Sequence, residues 1–201
     1  GLTQKLDYLN DGSDATDSDL GVTGLWLLPI FPSPSYHGYD VTDYCAINPE
    51  YGTMEDFETL IAEADKRGIS IILDFPCNHS STDHPWFAAS RDTDDVHRSW
   101  YYWLDGEAAA AHFGTSLQKQ VWGHPLWNKT DGGYYAGLFD ASMPDLNIAN
   151  PAVRDALKDA AEFWLKKGVA GFRLDAAAHV FNMNKLPVGM EGLSSSLAWW
   201  T

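Results

Sequence analysis

Apolar residues in this chain follow two alternating periods. Leu2, Leu6 and Leu9 recur at helical spacing and stop at Asn10-Asp11-Gly12, which predicts an opening helix. Val22 to Ile30 is a short, nearly continuous apolar run ended by prolines at 29, 32 and 34, the pattern of a strand buried on both faces. Thr53 is placed to cap a helix with Glu55 and Asp56 in its first turn, and Phe57, Leu60, Ile61 and Ala64 keep a helical period up to Gly68. The strand Ile69 to Phe75 follows directly. Asn150-Pro151 opens another helix, through Val153, Leu157, Ala161, Trp164 and Leu165 to Gly168, and a strand from Val169 to Asp175 comes next. Leu193 to Thr201 reads as the start of a further helix.

This strand, helix, strand rhythm predicts an α/β fold with a parallel sheet. One connection breaks it. Between Phe75 and Asn150 lies a segment far longer than an ordinary βα loop, rich in Trp, Tyr, His, Gly and Asp, which reads as a small subdomain inserted at the carboxyl end of the sheet.

Both well-marked strands run from apolar residues into polar ones. Gly171-Phe172-Arg173-Leu174-Asp175 leads to His179, and Ile69 to Phe75 leads through Asp74 to Asn78 and His79. An Arg two residues before an Asp serves equally well as a structural ion pair. The second strand, delivering polar groups at the same end, favours a chemical site, because parallel sheets gather their chemistry at the carboxyl ends of strands.

Composition narrows the ligand. The chain carries 13 Lys plus Arg against 28 Asp plus Glu, a net charge of −15, which argues against a nucleic-acid or anionic-membrane partner and leaves a neutral, hydroxyl-rich ligand as the better fit. Nine Trp and nine Tyr supply flat amphipathic rings suited to packing and to stacking on sugars; Trp103, Trp122 and Trp127 stand out because they lie in the irregular segment. Two cysteines, Cys45 and Cys77, form no metal-binding spacing and read as buried free thiols. No apolar run is long enough to span a membrane, and the first residues lack the parts of a signal peptide.

Four ordered blocks carry a family resemblance: Gly24 to Pro29, Asp74-Phe75-Pro76-Cys77-Asn78-His79, Met143-Pro144-Asp145-Leu146-Asn147, and Gly171 to His179, joined by the Tyr36-His37-Gly38-Tyr39-Asp40 loop and the Asn48 to Thr53 turn. Together they resemble the α-amylase family of retaining glycoside hydrolases. The resemblance implies a partial (β/α)8 barrel with a small domain inserted after the third strand. Residues 1–75 and 150–201 would belong to the barrel and 76–149 to the inserted domain, with the first and the fifth to eighth strands absent. It also implies roles. Asp175 matches the nucleophile and Arg173 the group that keeps it ionised and aimed; retaining chemistry sets a second, protonated carboxyl group about 5 Å from the nucleophile. Tyr39, His79 and His179 match groups that hold the reacting sugar, with His37 a further contact and Asp40 a grip on a nonreducing end. Asp74 reads as a structural partner. Asn78, Asp145 and the His179 carbonyl correspond to calcium ligands in many relatives.

Departures accompany the matches. Ala178 stands where many starch-cleaving relatives carry Lys, and Pro76-Cys77 replaces an aliphatic pair. The general acid of the family belongs to the fifth strand, and Glu191, the only late acid here, sits in a Gly-flanked loop unsuited to that role. The expected activity is hydrolysis of α-1,4-glucosidic bonds in starch-like glucans or maltooligosaccharides, as part of a longer enzyme. An α-glucosidase or a sucrose- or trehalose-converting enzyme is the second reading, and a noncatalytic binding or partner subunit the third. A polymeric substrate implies a secreted or periplasmic protein, short oligosaccharides a cytoplasmic one.

Overall fold

The computed structural model describes residues 1–180 apart from 14, 16, 17 and 113. Glu191 and the helix expected from Leu193 lie outside the described residues. A 3-10 turn at Leu2–Lys5 leads into α1 (Leu6–Leu9), followed by β1 (Gly24–Leu27), α2 (Met54–Asp65) and β2 (Ser70–Pro76). The long connection then holds α3 (Pro85–Ser90), a 3-10 turn at Val96–Trp100, β3 (Trp103–Leu104), α4 (Glu107–His112), β4 (Gln120–Val121), β5 (His124–Pro125), β6 (Trp127–Thr130) and β7 (Gly133–Ala136). The chain returns through α5 (Pro151–Lys166) to β8 (Gly171–Asp175).

The caps form as the sequence predicts. Thr53 accepts from the Asp56 amide while the Asp56 carboxylate accepts from the Thr53 amide, closing a reciprocal box at the start of α2. Asn150 accepts from the Ala152 amide ahead of Pro151 in α5. Both helices turn an apolar stripe to the sheet: Phe57, Leu60 and Ala64 from α2, and Val153, Leu157, Ala160 and Trp164 from α5. Trp164 is the keystone, packed against Phe31 and Phe57 at centroid distances of 5.7 and 5.2 Å, with its indole N–H donated to the Tyr44 carbonyl at 2.7 Å. Gly168 turns at φ +93°, where a Cβ would stand 2.7 Å from the Ile61 side chain, so this close helix exit needs glycine.

The three long-range strands form a parallel sheet in the order β1-β2-β8. Of these three strands β2 is the one paired on both sides, and it is buried through most of its length. The expectation that Val22 to Ile30 is buried on both faces is corrected: only Gly24–Leu27 is strand, and Trp26 and Leu28 are 52% and 62% exposed. Side chains are covered by what packs on a strand's faces, and among the described residues only the face carrying Leu25 and Leu27 packs against the core.

Within the long connection, β3, β7 and β6 make an antiparallel sheet and β4–β5 a separate two-residue-per-strand hairpin. Leu104, Ala110, Val121, Leu126, Trp127, Ala136 and Leu138 form an apolar cluster of their own. Phe87, Tyr101, Tyr135, Leu146 and Ile148 from the same connection join the larger core beneath the parallel sheet instead. Cys77 is buried, but Cys45 is exposed, which corrects its reading as a buried thiol. It lies in the turn region after Asp43 rather than in an element that packs against the core.

Candidate active site

The register of the parallel sheet builds the site. Asp74 on β2 is the direct partner of Arg173 on β8, and Pro76 the partner of Asp175. Arg173 and Asp175 are two residues apart in one strand and share a face. The three charged groups therefore meet at the carboxyl end of the sheet. Arg173 Nη1 donates to both oxygens of Asp74 at 3.2 Å and to Asp175 Oδ1 at 2.5 Å. Its guanidinium also lies 5.1 Å above the Trp26 ring, a support on β1 that the sequence reading did not find.

Asp74 is fully enclosed, and burial pushes its carboxyl above the usual range while Arg173 and Tyr39 pull it back. Burial likewise works against the Arg173 cation, but its bonds to Asp74 and Asp175 win and raise its pKa. Arg173 is thus a fixed positive charge with one wholly buried anion behind it and one partly exposed anion in front.

The loop after β1 brings the next groups. Gly38, at φ +80°, runs so close to Pro29 that a Cβ would stand 3.0 Å from its carbonyl oxygen. This tight passage turns Tyr39 inward, where its hydroxyl donates to Asp74 Oδ2 at 3.0 Å, and burial pushes its pKa up to about 12. His37 stacks against Tyr39 at 6.0 Å, and its Nδ1 accepts from the Tyr39 amide at 3.1 Å. Asp40 is buried; its Oδ1 accepts hydroxyl hydrogen bonds from Ser33 at 2.5 Å and from Ser35, with His37 Nδ1 3.9 Å away.

His79, just beyond β2, is buried and held neutral by that burial, with a pKa of about 4 that the nearby Asp175 charge only partly restores. Its Nε2 has no hydrogen-bond partner of good geometry among the described residues. His179 follows the turn at the end of β8, where its amide donates to the Ala176 carbonyl at 2.8 Å, and burial lowers its pKa. Phe139, from the long connection, packs against both rings, 5.3 Å from His79 and 5.4 Å from His179. The sequence reading missed Phe139, because no periodicity marks a ring that reaches the site from an irregular loop.

Asn78 and Asp145, the expected calcium ligands, do lie side by side. Asn78 Nδ2 donates to Asp145 Oδ1 at 2.6 Å, and the Leu138 amide donates to Asp145 Oδ2 at 2.7 Å. Burial pushes the Asp145 carboxyl up to about 8, against the pull of the Leu138 amide and Asn78. Both carboxylate oxygens are thus closed by N–H donors, whereas calcium takes about six to eight oxygen ligands. In this arrangement the two side chains bond to each other across the strand end. Of the three singled-out tryptophans, Trp127 is buried and Trp103 is sandwiched between Phe87 and the Arg98 guanidinium, so both are packing residues; Trp122 alone is exposed.

Comparisons with known proteins agree with this geometry. The family model described as alpha amylase, catalytic domain, matches residues 1–192. Alpha-amylase 3 of Dictyoglomus thermophilum is 46% identical over the whole chain, and Maltase A1 of Drosophila melanogaster is 43% identical over 92% of it. The crystal structure of an alpha-amylase from H. orenii superposes with a TM-score of 0.85 at 46% identity over the whole chain. The chain spans only 34%, 32% and 38% of these proteins, about a third of their length. Its three parallel strands are accordingly an arc of a (β/α)8 barrel, not a closed one. The protein belongs to the α-amylase family of glycoside hydrolases.

Proposed function

We propose that this chain is the nucleophile-bearing portion of a retaining α-glucoside hydrolase acting on starch-like glucans or maltooligosaccharides. In this reading residues 1–75 and 150–201 belong to the barrel, and 76–149 form an inserted domain that walls the substrate cleft. The observation that carries it is the shared guanidinium: Arg173 is pinned from behind by enclosed Asp74 and aims Asp175 from in front.

Asp175 attacks the anomeric carbon, the bond to the leaving sugar oxygen breaks, and a carboxylate ester to the enzyme forms. A protonated carboxyl group about 5–5.5 Å away gives its proton to the departing oxygen, then takes one from the water that hydrolyses the ester. Glu191 lies outside the described residues and is not assigned that task. Tyr39 offers its ring face to the reacting sugar while its hydroxyl is occupied by Asp74. Neutral His79 and His179 flank the same sugar and exchange hydrogen bonds with its hydroxyls. No step is assigned to calcium.

The test is a trapping experiment on the whole protein. A fluorinated glucosyl fluoride should leave one sugar attached to Asp175, located by mass spectrometry of a digest. A sugar on any other residue, or products of inverted anomeric configuration, would overturn the assignment.

A second reading, an α-glucosidase, is favoured by Asp40. Its carboxylate is fixed by Ser33 and Ser35 beside His37, a rigid grip that would hold a nonreducing end and stop longer chains. Maltoheptaose separates the two: glucose as the sole early product supports this reading, and mid-length fragments support endo-cleavage. The first outcome would also favour a cytoplasmic protein, the second a secreted or periplasmic one.

A further inference from the structure

Two residues other than glycine have a left-handed backbone among the described residues, Ala176 at φ +52° and Trp122 at φ +50°. Ala176 immediately follows Asp175, so its strain belongs to the strand end already described. Trp122 is far away in sequence. It is the first of the two turn residues between β4 and β5, which pair Val121 with His124, and Gly123 follows at φ +89°. A two-residue turn with both φ angles positive strongly prefers Asn-Gly or Asp-Gly, and a bulky ring at its first position is a real backbone penalty. Strain of this kind persists where function needs it.

The position of the ring says what the need is. Trp122 lies 5.4 Å from Phe139 and 5.7 Å, edge-on, from His179, and Phe139 in turn touches His79. Yet the residue remains 61% exposed, so the turn holds it beside the site without burying it. A residue kept only for packing would be covered; here one side rests on the site's own rings and the remainder faces solvent.

We infer that Trp122 is a specificity-determining residue, a stacking platform for the sugar unit adjoining the one held by Tyr39, His79 and His179. It contributes no proton and touches no reacting atom; it grips the apolar face of a second α-linked hexose. The inference rests on the α-glucoside reading and adds that the site selects substrates of at least two sugars through this hairpin.

The experiment compares Trp122→Asn and Trp122→Phe in the whole protein, using maltotriose for turnover and glucose as a single-sugar competitive inhibitor. Asn suits the turn but removes the ring, so kcat/KM for maltotriose should fall about ten-fold, the worth of one aromatic stacking contact. Glucose inhibition should stay unchanged, and Phe should restore most of the loss. Equal losses for glucose and maltotriose, or Asn behaving like wild type, would overturn the platform while leaving the hydrolase intact. A wild-type protein that neither binds nor cleaves maltotriose would instead overturn the hydrolase reading, and the platform with it.

Discussion

Two buried carboxylates, one at the sheet end and one at the base of the long connection, meet the same problem with different partners. Asp74 faces the fixed guanidinium of Arg173 and the hydroxyl of Tyr39, while Asp145 faces only the Asn78 amide and a backbone N–H. Burial raises both carboxyls, but only Asp145 reaches about 8, because neutral donors offset less of the lost hydration than a cation does. The first region therefore sets its carboxylates against a fixed cation. The second works as a hydrogen-bonded joint between the strand end and the long connection.

The largest expected effect sharpens the charged side of this contrast. Asp175→Asn keeps the shape but removes the charge proposed to attack, and kcat on maltotriose should fall on the order of 10⁴-fold with an unchanged melting temperature. A loss of less than ten-fold would assign the nucleophile elsewhere.

Arg173→Met removes the cation and strands Asp74. Urea unfolding should show a loss of about 2–3 kcal/mol, below the full cost of breaking an enclosed pair because Arg173 is 42% exposed. If Asp74→Asn combined with Arg173→Met recovers none of it, the two groups are not coupled as described.

Asp145 tests the neutral side through pH. Its folded pKa lies above the unfolded value, so the folded state binds the extra proton; the stability it confers is complete below about pH 4 and is lost as pH rises through about 8. Urea titrations at pH 6 and 9 should show that decline in the wild type and a flatter response in Asp145→Asn. Millimolar calcium should leave the wild-type melting temperature where it is. A calcium-dependent rise that Asp145→Asn abolishes would show that the Asn78–Asp145 pair opens to take the ion.

The smallest expected effect lies outside both regions. Thr53→Ala removes the cap of α2 and should cost about 1 kcal/mol with no change in substrate profile. A change in profile would mean that α2 reaches the site through the sheet.

The helices and strands were legible because their signals are local: a cap such as Thr53 or Asn150, a 3.6-residue stripe, or a short apolar run says what its own segment does. The polar ends of two strands likewise pointed to Asp74, His79, Arg173 and Asp175. What could not be read was how many neighbours an element would have. Val22 to Ile30 is apolar enough for a buried strand, yet among the described residues only its Leu25 and Leu27 face is packed, and Trp26 and Leu28 stay exposed. Nor could three equally conspicuous tryptophans be sorted, since Trp103 and Trp127 found packing partners and Trp122 did not become covered.

By itself, then, the sequence determined the α/β alternation, the family and the identity of the charged groups at the strand ends, all of which rest on contiguous residues. Only the tertiary structure decided that register sets Arg173 opposite Asp74, that Trp26 and Phe139 enter the site from other segments, and that Trp122 is held beside it in a strained turn. These depend on distances between residues far apart in the chain, which pairing and packing create and no local pattern encodes.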